Sequence, residues 1–176
     1  MERWSLLRFA KMDRLIRKMQ KNGVLIDTNL LVLLIVGLVD PKIIETHKRL
    51  SAYTKDDFVL LVSILDTCKF IATSPHILAE TSNLASNGMY GEAEAKIFLA
   101  LKGILMQEKF IEIHTTASGI SEKEGFLTFG LSDIGLLETL NSEYVLLTDD
   151  FRLSGYAEKM NFEVLNFNHL RYSAWS

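Results

Sequence analysis

Residues 24–31, Val24-Leu25-Ile26-Asp27-Thr28-Asn29-Leu30-Leu31, set an acid between a short apolar run and a long one. Val24–Ile26 has the length of a short buried strand, whereas Leu30–Leu38 is too long for a strand and fits a buried helix. The stretch therefore predicts strand, turn, helix, with Asp27 at the turn. A carboxylate placed there starts against apolar walls, which is costly unless it is paired or binds a cation. Capping the helix that begins near Leu30 is the structural alternative, a frequent use of Asp. The motif alone leaves both readings open.

Working outward, residues 3–20 read as a helix with Leu6, Leu7, Ala10, Leu15 and Ile16 on one broad side and basic residues on the other. Lys21-Asn22-Gly23 ends it. Beyond the opening motif, Pro41–Leu50 and Asp56–Thr67 have helical patterns, and Lys69–Ala72 reads as a second strand. Ser74-Pro75 is a helix start, with Ser as cap and Pro in the first turn, and that helix runs to about Ala85. Glu92–Gln107 predicts another helix, Phe110–Ile113 a third strand, and Gly119–Phe129 a weakly patterned helix. Ser132 is expected to cap a helix from Asp133 to Leu140. A fourth strand over Tyr144–Leu147, a helix over Asp150–Met160 and a fifth strand over Phe162–Leu165 complete the pattern. Short apolar strands alternating with helices imply an α/β fold whose mostly parallel sheet is covered on both faces. Ligands bind such sheets beyond the carboxyl ends of the strands, where the strand order reverses. Asp27 follows the first strand and Asp149-Asp150 follow the fourth.

The chain has 176 residues, 48% hydrophobic and 23% charged, which suits one soluble globular domain. Its single cysteine, Cys68, excludes an internal disulfide and a cysteine-based zinc site, and points to a reducing compartment. The longest uncharged apolar run, Leu30–Val39, is about half of what a bilayer span requires. The opening MERWSLLRFAK is a poor secretion signal, so a cytoplasmic protein with no membrane partner is expected. Residues 1–21 carry seven Lys/Arg and two acids, a local charge of +5, and the remainder is −8. An acidic body does not attract nucleic acid by charge alone, but it suits a metal enzyme. The sequence contains no G-x-S-x-G elbow, no Walker lysine loop and no G-x-G-x-x-G.

Three further acids bear on Asp27. Glu80 sits inside the helix begun by Ser74-Pro75, where a solvated face is the plain alternative. Asp133 opens a late helix, a place the helix dipole favours for an acid anyway. Asp150 stands in Leu146-Leu147-Thr148-Asp149-Asp150, again where a strand meets a helix. Among neighbouring polar residues, His76 shares a helix face with Glu80, and Arg152 lies within reach of a phosphate bound near Asp150.

Taken in order, Asp-Thr-Asn after the first strand, a Glu in a Ser-Pro helix, an Asp early in a late helix and Thr-x-Asp after the next strand resemble the PIN-domain family of VapC-type toxins and other endoribonucleases. The resemblance covers about residues 23–170. It implies a five-stranded parallel sheet of order 3-2-1-4-5 in a three-layer sandwich, with residues 22–176 as the nuclease domain and residues 1–21 as a basic extension outside it. It further implies that Asp27, Glu80, Asp133 and Asp150 form one catalytic cluster holding Mg²⁺ or Mn²⁺, hard cations that favour oxygen ligands. Thr28, Asn29, Thr148 and Asp149 would support it, with Arg152 and His76 as weaker substrate contacts. The implied activity is hydrolysis of RNA phosphodiester bonds, in a homodimer restrained by an antitoxin-like protein partner. The alternatives are a PIN-like module that binds RNA or protein without catalysis, and a metal-dependent phosphoesterase acting on DNA.

Overall fold

Val24–Ile26 (β1) is the central strand of a five-stranded sheet. The structure is a computed structural model and describes residues 2–140 and 143–174. Before β1 comes helix α1 (Glu2–Asn22), and after it α2 (Thr28–Val39), a 3-10 turn (Pro41–Thr46) and α3 (Lys55–Thr67). Then follow β2 (Ile71–Thr73), α4 (Pro75–Ala85), α5 (Glu92–Leu105) and β3 (Phe110–Glu112). The chain continues through α6 (Ala117–Ser121), α7 (Phe126–Thr139), β4 (Val145–Thr148), α8 (Phe151–Lys159), β5 (Val164–Asn166) and α9 (Phe167–Ala174).

All strand pairs are parallel and the order is β3-β2-β1-β4-β5, the order that the resemblance implied. β1 lies between β2 and β4, with Val24 opposite both Ile71 and Val145. The chain steps one way from β1 to β3 and the other way from β4 to β5. Right-handed crossovers then put the connecting helices on opposite faces of the sheet. Burial on both faces explains why β1, β2, β4 and β5 have no exposed residue and read as continuous apolar runs. Helix α2 is apolar nearly all round because α3, α4 and α5 surround it. Its approach to α3 is close: a Cβ on Gly37 would come within 2.2 Å of the Phe58 ring.

Gly23 makes the join from α1 to β1. Its φ of +102° is a left-handed value, and a Cβ there would meet the Phe70 carbonyl oxygen at 2.3 Å. The extension expected over residues 1–21 is one helix through Asn22, and its second half is seated on the body. Leu15 and Met19 are buried in the main core. Lys18 and Arg14 both reach Glu163, the latter at 2.6 Å. Among the described residues, no helix is long and apolar enough to cross a membrane.

Several boundaries depart from the sequence expectation. The helix expected from Pro41 to Leu50 is a 3-10 turn ending at Thr46. Ser132 does not flank its helix: α7 begins at Phe126, breaks at Gly130 (φ 80°, ψ −169°) and restarts at once. Ser132 and Asp133 therefore lie in the first turn after the break. Helix α9, with no counterpart in the sequence reading, begins directly from β5.

Candidate active site

The parallel order brings the carboxyl ends of β1 and β4 together. The Asp27 amide donates to the Leu147 carbonyl at 3.2 Å, extending the ladder one residue past β1. This sets Asp27 beside Thr148, and there the strand order reverses.

Asp27 is 4% exposed, and both of its carboxylate oxygens are in use. Oδ1 accepts from the Leu30 amide at 3.1 Å and so caps α2. Oδ2 accepts from the Thr148 hydroxyl and from the Asp149 amide at 3.3 Å. The capping and site readings of Asp27 are thus both present in one side chain. Burial foremost, then the Asp149 charge, pushes its pKa from the ordinary 3.8 to about 8. The Thr148 and Leu30 hydrogen bonds oppose that rise, and Asp133 adds to it.

Asp133 lies in the first turn after α7 restarts at Gly130. Its pKa is raised to about 6, by burial first and then by the charges of Asp150 and Glu80, with Arg152 pulling the other way. Glu80 is half-buried on α4, where its Oε2 accepts from the Thr28 hydroxyl at 2.9 Å. Asp27, Glu80, Asp133 and Asp150 therefore share one electrostatic neighbourhood at the strand ends.

The two acids after β4 diverge. Asp150 Oδ1 accepts from the Arg152 and Leu153 amides at 2.6 and 3.0 Å, capping α8. Its own amide donates to Thr148 Oγ1 at 3.0 Å, so Thr148 ties the two aspartates together. Asp149 turns to the other side. Asn29 Nδ2 donates to its Oδ1 at 3.1 Å, and the Tyr53 hydroxyl donates to its Oδ2. Asn29 is aimed in turn by Arg49, whose Nε donates to Asn29 Oδ1 at 3.1 Å. Thus Asp149 faces Asp27, and Asp150 faces Asp133.

A supporting layer lies behind Asp149. Tyr53 is 4% exposed, and the Arg171 guanidinium sits 4.9 Å over its ring. Arg171 also grips buried Asp57, at 2.8 and 2.9 Å. Burial and the neighbouring Asp149 charge hold the Tyr53 phenol well above its usual pKa, so it acts as a donor. Asn168 Nδ2 donates to the Asp149 carbonyl at 2.6 Å. Arg152 is exposed, 5.5 Å from the centre of the Phe129 ring. His76 packs against α7, where a Cβ on Gly135 would come within 3.2 Å of its ring. Its Nε2 is buried without a hydrogen-bond partner.

Tyr53, Arg49, Asn168 and Arg171 were not singled out from sequence. Tyr53 and Arg49 come from a connecting segment with no motif of its own. A weak signal existed for Asn168: it lies two residues past the fifth strand, near the carboxyl end of the sheet where Asp27 follows β1.

The donor set suits a hard divalent ion, being oxygen-only and carboxylate-rich. The hydrogen bonds to Asp27 come from a hydroxyl and two amides, not from a Lys or Arg. Among the described residues, no three His, Cys, Asp or Glu side chains converge closely enough to hold one ion directly as they stand. Compared with known proteins, the chain matches no family model, no curated protein and no solved structure.

Proposed function

We propose that the chain is a PIN-like, metal-dependent endoribonuclease. The observation that carries this reading is a buried carboxylate, Asp27, at the switch point of a parallel sheet. Its burial, and then the charges of Asp149 and Asp133, hold it above the ordinary carboxylate pKa. Burying a carboxyl beside other acids shifts its pKa strongly, and such arrangements concentrate at functional sites. Asp27, Asp133, Asp150 and Glu80 are the residues that would hold Mg²⁺ or Mn²⁺. When bound, the ion lowers the pKa of a coordinated water and offsets charge on the scissile phosphate. The protein's own residues orient the rest. Thr148 fixes Asp27 relative to Asp150, Asn29 and Tyr53 fix Asp149, and exposed Arg152 beside Asp133 would meet a phosphate oxygen.

A second reading has an observation of its own. Asp27 and Asp150 are both helix caps, as they would be in a PIN-like scaffold that binds RNA or protein without cutting. A panel of single-stranded RNA, single-stranded DNA and duplexes, incubated with Mg²⁺, Mn²⁺ or EDTA, separates the readings. The nuclease reading expects metal-dependent cuts in single-stranded RNA, leaving 5′-phosphate and 3′-hydroxyl ends. Cleavage of DNA alone would move the substrate to the phosphoesterase alternative. Binding with no cleavage in any metal would leave the scaffold. The homodimer and the antitoxin-like partner belong to the same proposal, and sedimentation of the purified chain tests the first of them.

A further inference from the structure

We infer that Phe151 and His169 form a stacking shelf for one base of a single-stranded RNA at the mouth of the carboxylate cluster, an inference that rests on the nuclease reading. Phe151 is the first residue of α8, directly after the cap Asp150, and it is 59% exposed. The helix does not need it for packing, because Leu153 and Ala157 supply its buried face. The amide bonds that Asp150 accepts hold this turn, so the Phe151 backbone is fixed beside that acid. The exposed His169 ring on α9 lies 5.9 Å from the Phe151 ring, tilted by 57°. Phe151 thus stands one residue from a cluster carboxylate, with the His169 ring beside it.

The chemistry beside the shelf selects its occupant. Arg152 is the next residue, exposed; it makes no salt bridge among the described residues, lies by the Phe129 ring and acts on Asp133 by its charge. An aromatic face with an adjacent guanidinium complements a base and its phosphate. An acidic body needs such local contacts, since its overall charge repels the strand. Bases inside a duplex are stacked on each other and are out of reach, so the shelf favours single strands.

The test uses the full chain carrying Asp27→Asn, which the nuclease reading expects to leave RNA uncut. Binding of a fluorescein-labelled single-stranded RNA is followed by anisotropy, and stacking by the quenching of a 2-aminopurine base in the same strand. Phe151→Ala and Phe151→Leu should each weaken binding about tenfold and relieve the quenching, and Phe151→Trp should keep both. Tyr90→Ala removes an 84% exposed aromatic located past the far end of α4, and it should change neither. Unaltered binding and quenching in both Phe151→Ala and Phe151→Leu would discard the shelf. The nuclease reading would survive that result if the unsubstituted chain cuts RNA. If the parent binds no RNA and the unsubstituted chain cuts none, both ideas fall together.

Discussion

Asp27 and Asp150 each cap a helix with one oxygen and face another acid of the cluster, so the choice of substitution decides what an experiment measures. Asn caps a helix about as well as Asp, whereas Ala does not. Asp150→Asn should therefore melt within a degree or two of the parent while losing metal-dependent cleavage. Asp150→Ala should lose cleavage and about 1 kcal/mol of stability in chemical denaturation. If Asp150→Asn cuts RNA at the parent rate, the residue is a cap and nothing more. The spacing Thr148-x-Asp150 assigned the cluster role to Asp150. The structure adds that Asp149 is also aimed inward, held by Asn29 and Tyr53. Asp149→Asn keeps an acceptor for Asn29, turns its amide N–H toward the Tyr53 hydroxyl oxygen, and removes one charge from beside Asp27. It should therefore retain the fold and lower the Asp27 pKa, which NMR titration of the carboxylates can follow.

At the scale of elements, two helices at the ends of the chain are tied into the body more firmly than their sequences advertise. Arg171 on α9 serves Asp57, which is 2% exposed. Removing one partner of a buried pair leaves the other charge uncompensated, so Arg171→Ala should cost about 3–5 kcal/mol by urea denaturation. A loss below about 1 kcal/mol would mean that water replaces the guanidinium. On α1, Met19 is 2% exposed in the core, and Met19→Ala should cost about 2–5 kcal/mol. A negligible change would return the whole of α1 to the status of a removable extension. These ties explain what was legible in the sequence and what was not. β1, α2 and α4 were readable because apolar runs, an Asp turn and a Ser-Pro start are local signals. The break at Gly130 was missed because one glycine in an apolar helical pattern does not reveal its φ. The role of Tyr53 depends on Asp149, 96 residues away, and no local pattern encodes that meeting. Helix α9 was missed for a related reason: its anchors, Asp57 and the Asp149 carbonyl, belong to distant segments.

For the molecule as a whole, the carboxylate cluster sets how stability responds to pH and to metal. The folded state holds a proton on Asp27 up to about pH 8 and on Asp133 up to about pH 6, whereas an unfolded chain releases both near 4. Below about pH 4 both states are protonated, and this pair contributes no difference. As the pH rises from there toward 8, the unfolded state sheds protons first, so these two groups make the metal-free fold progressively less stable. Thermal melts in EDTA should show that fall, and Asp27→Asn should flatten it. An equal slope in parent and variant would remove Asp27 as its source. Metal binding requires the deprotonated carboxylates and releases their protons. Mg²⁺ or Mn²⁺ should therefore raise the melting temperature more at pH 8 than at pH 6.

The central claim is that this cluster cuts RNA with a bound divalent ion, and Asp27 is the residue on which it turns. The deciding measurement is the rate at which purified parent and Asp27→Asn proteins, both shown to be folded, cleave one single-stranded RNA in Mn²⁺ and in EDTA. The account predicts cleavage by the parent in Mn²⁺, none in EDTA, and a rate at least about a hundredfold lower for the variant, in line with the loss of a key electrostatic group. Equal Mn²⁺-dependent rates for the two proteins, or cleavage by the parent that persists in EDTA, would contradict it.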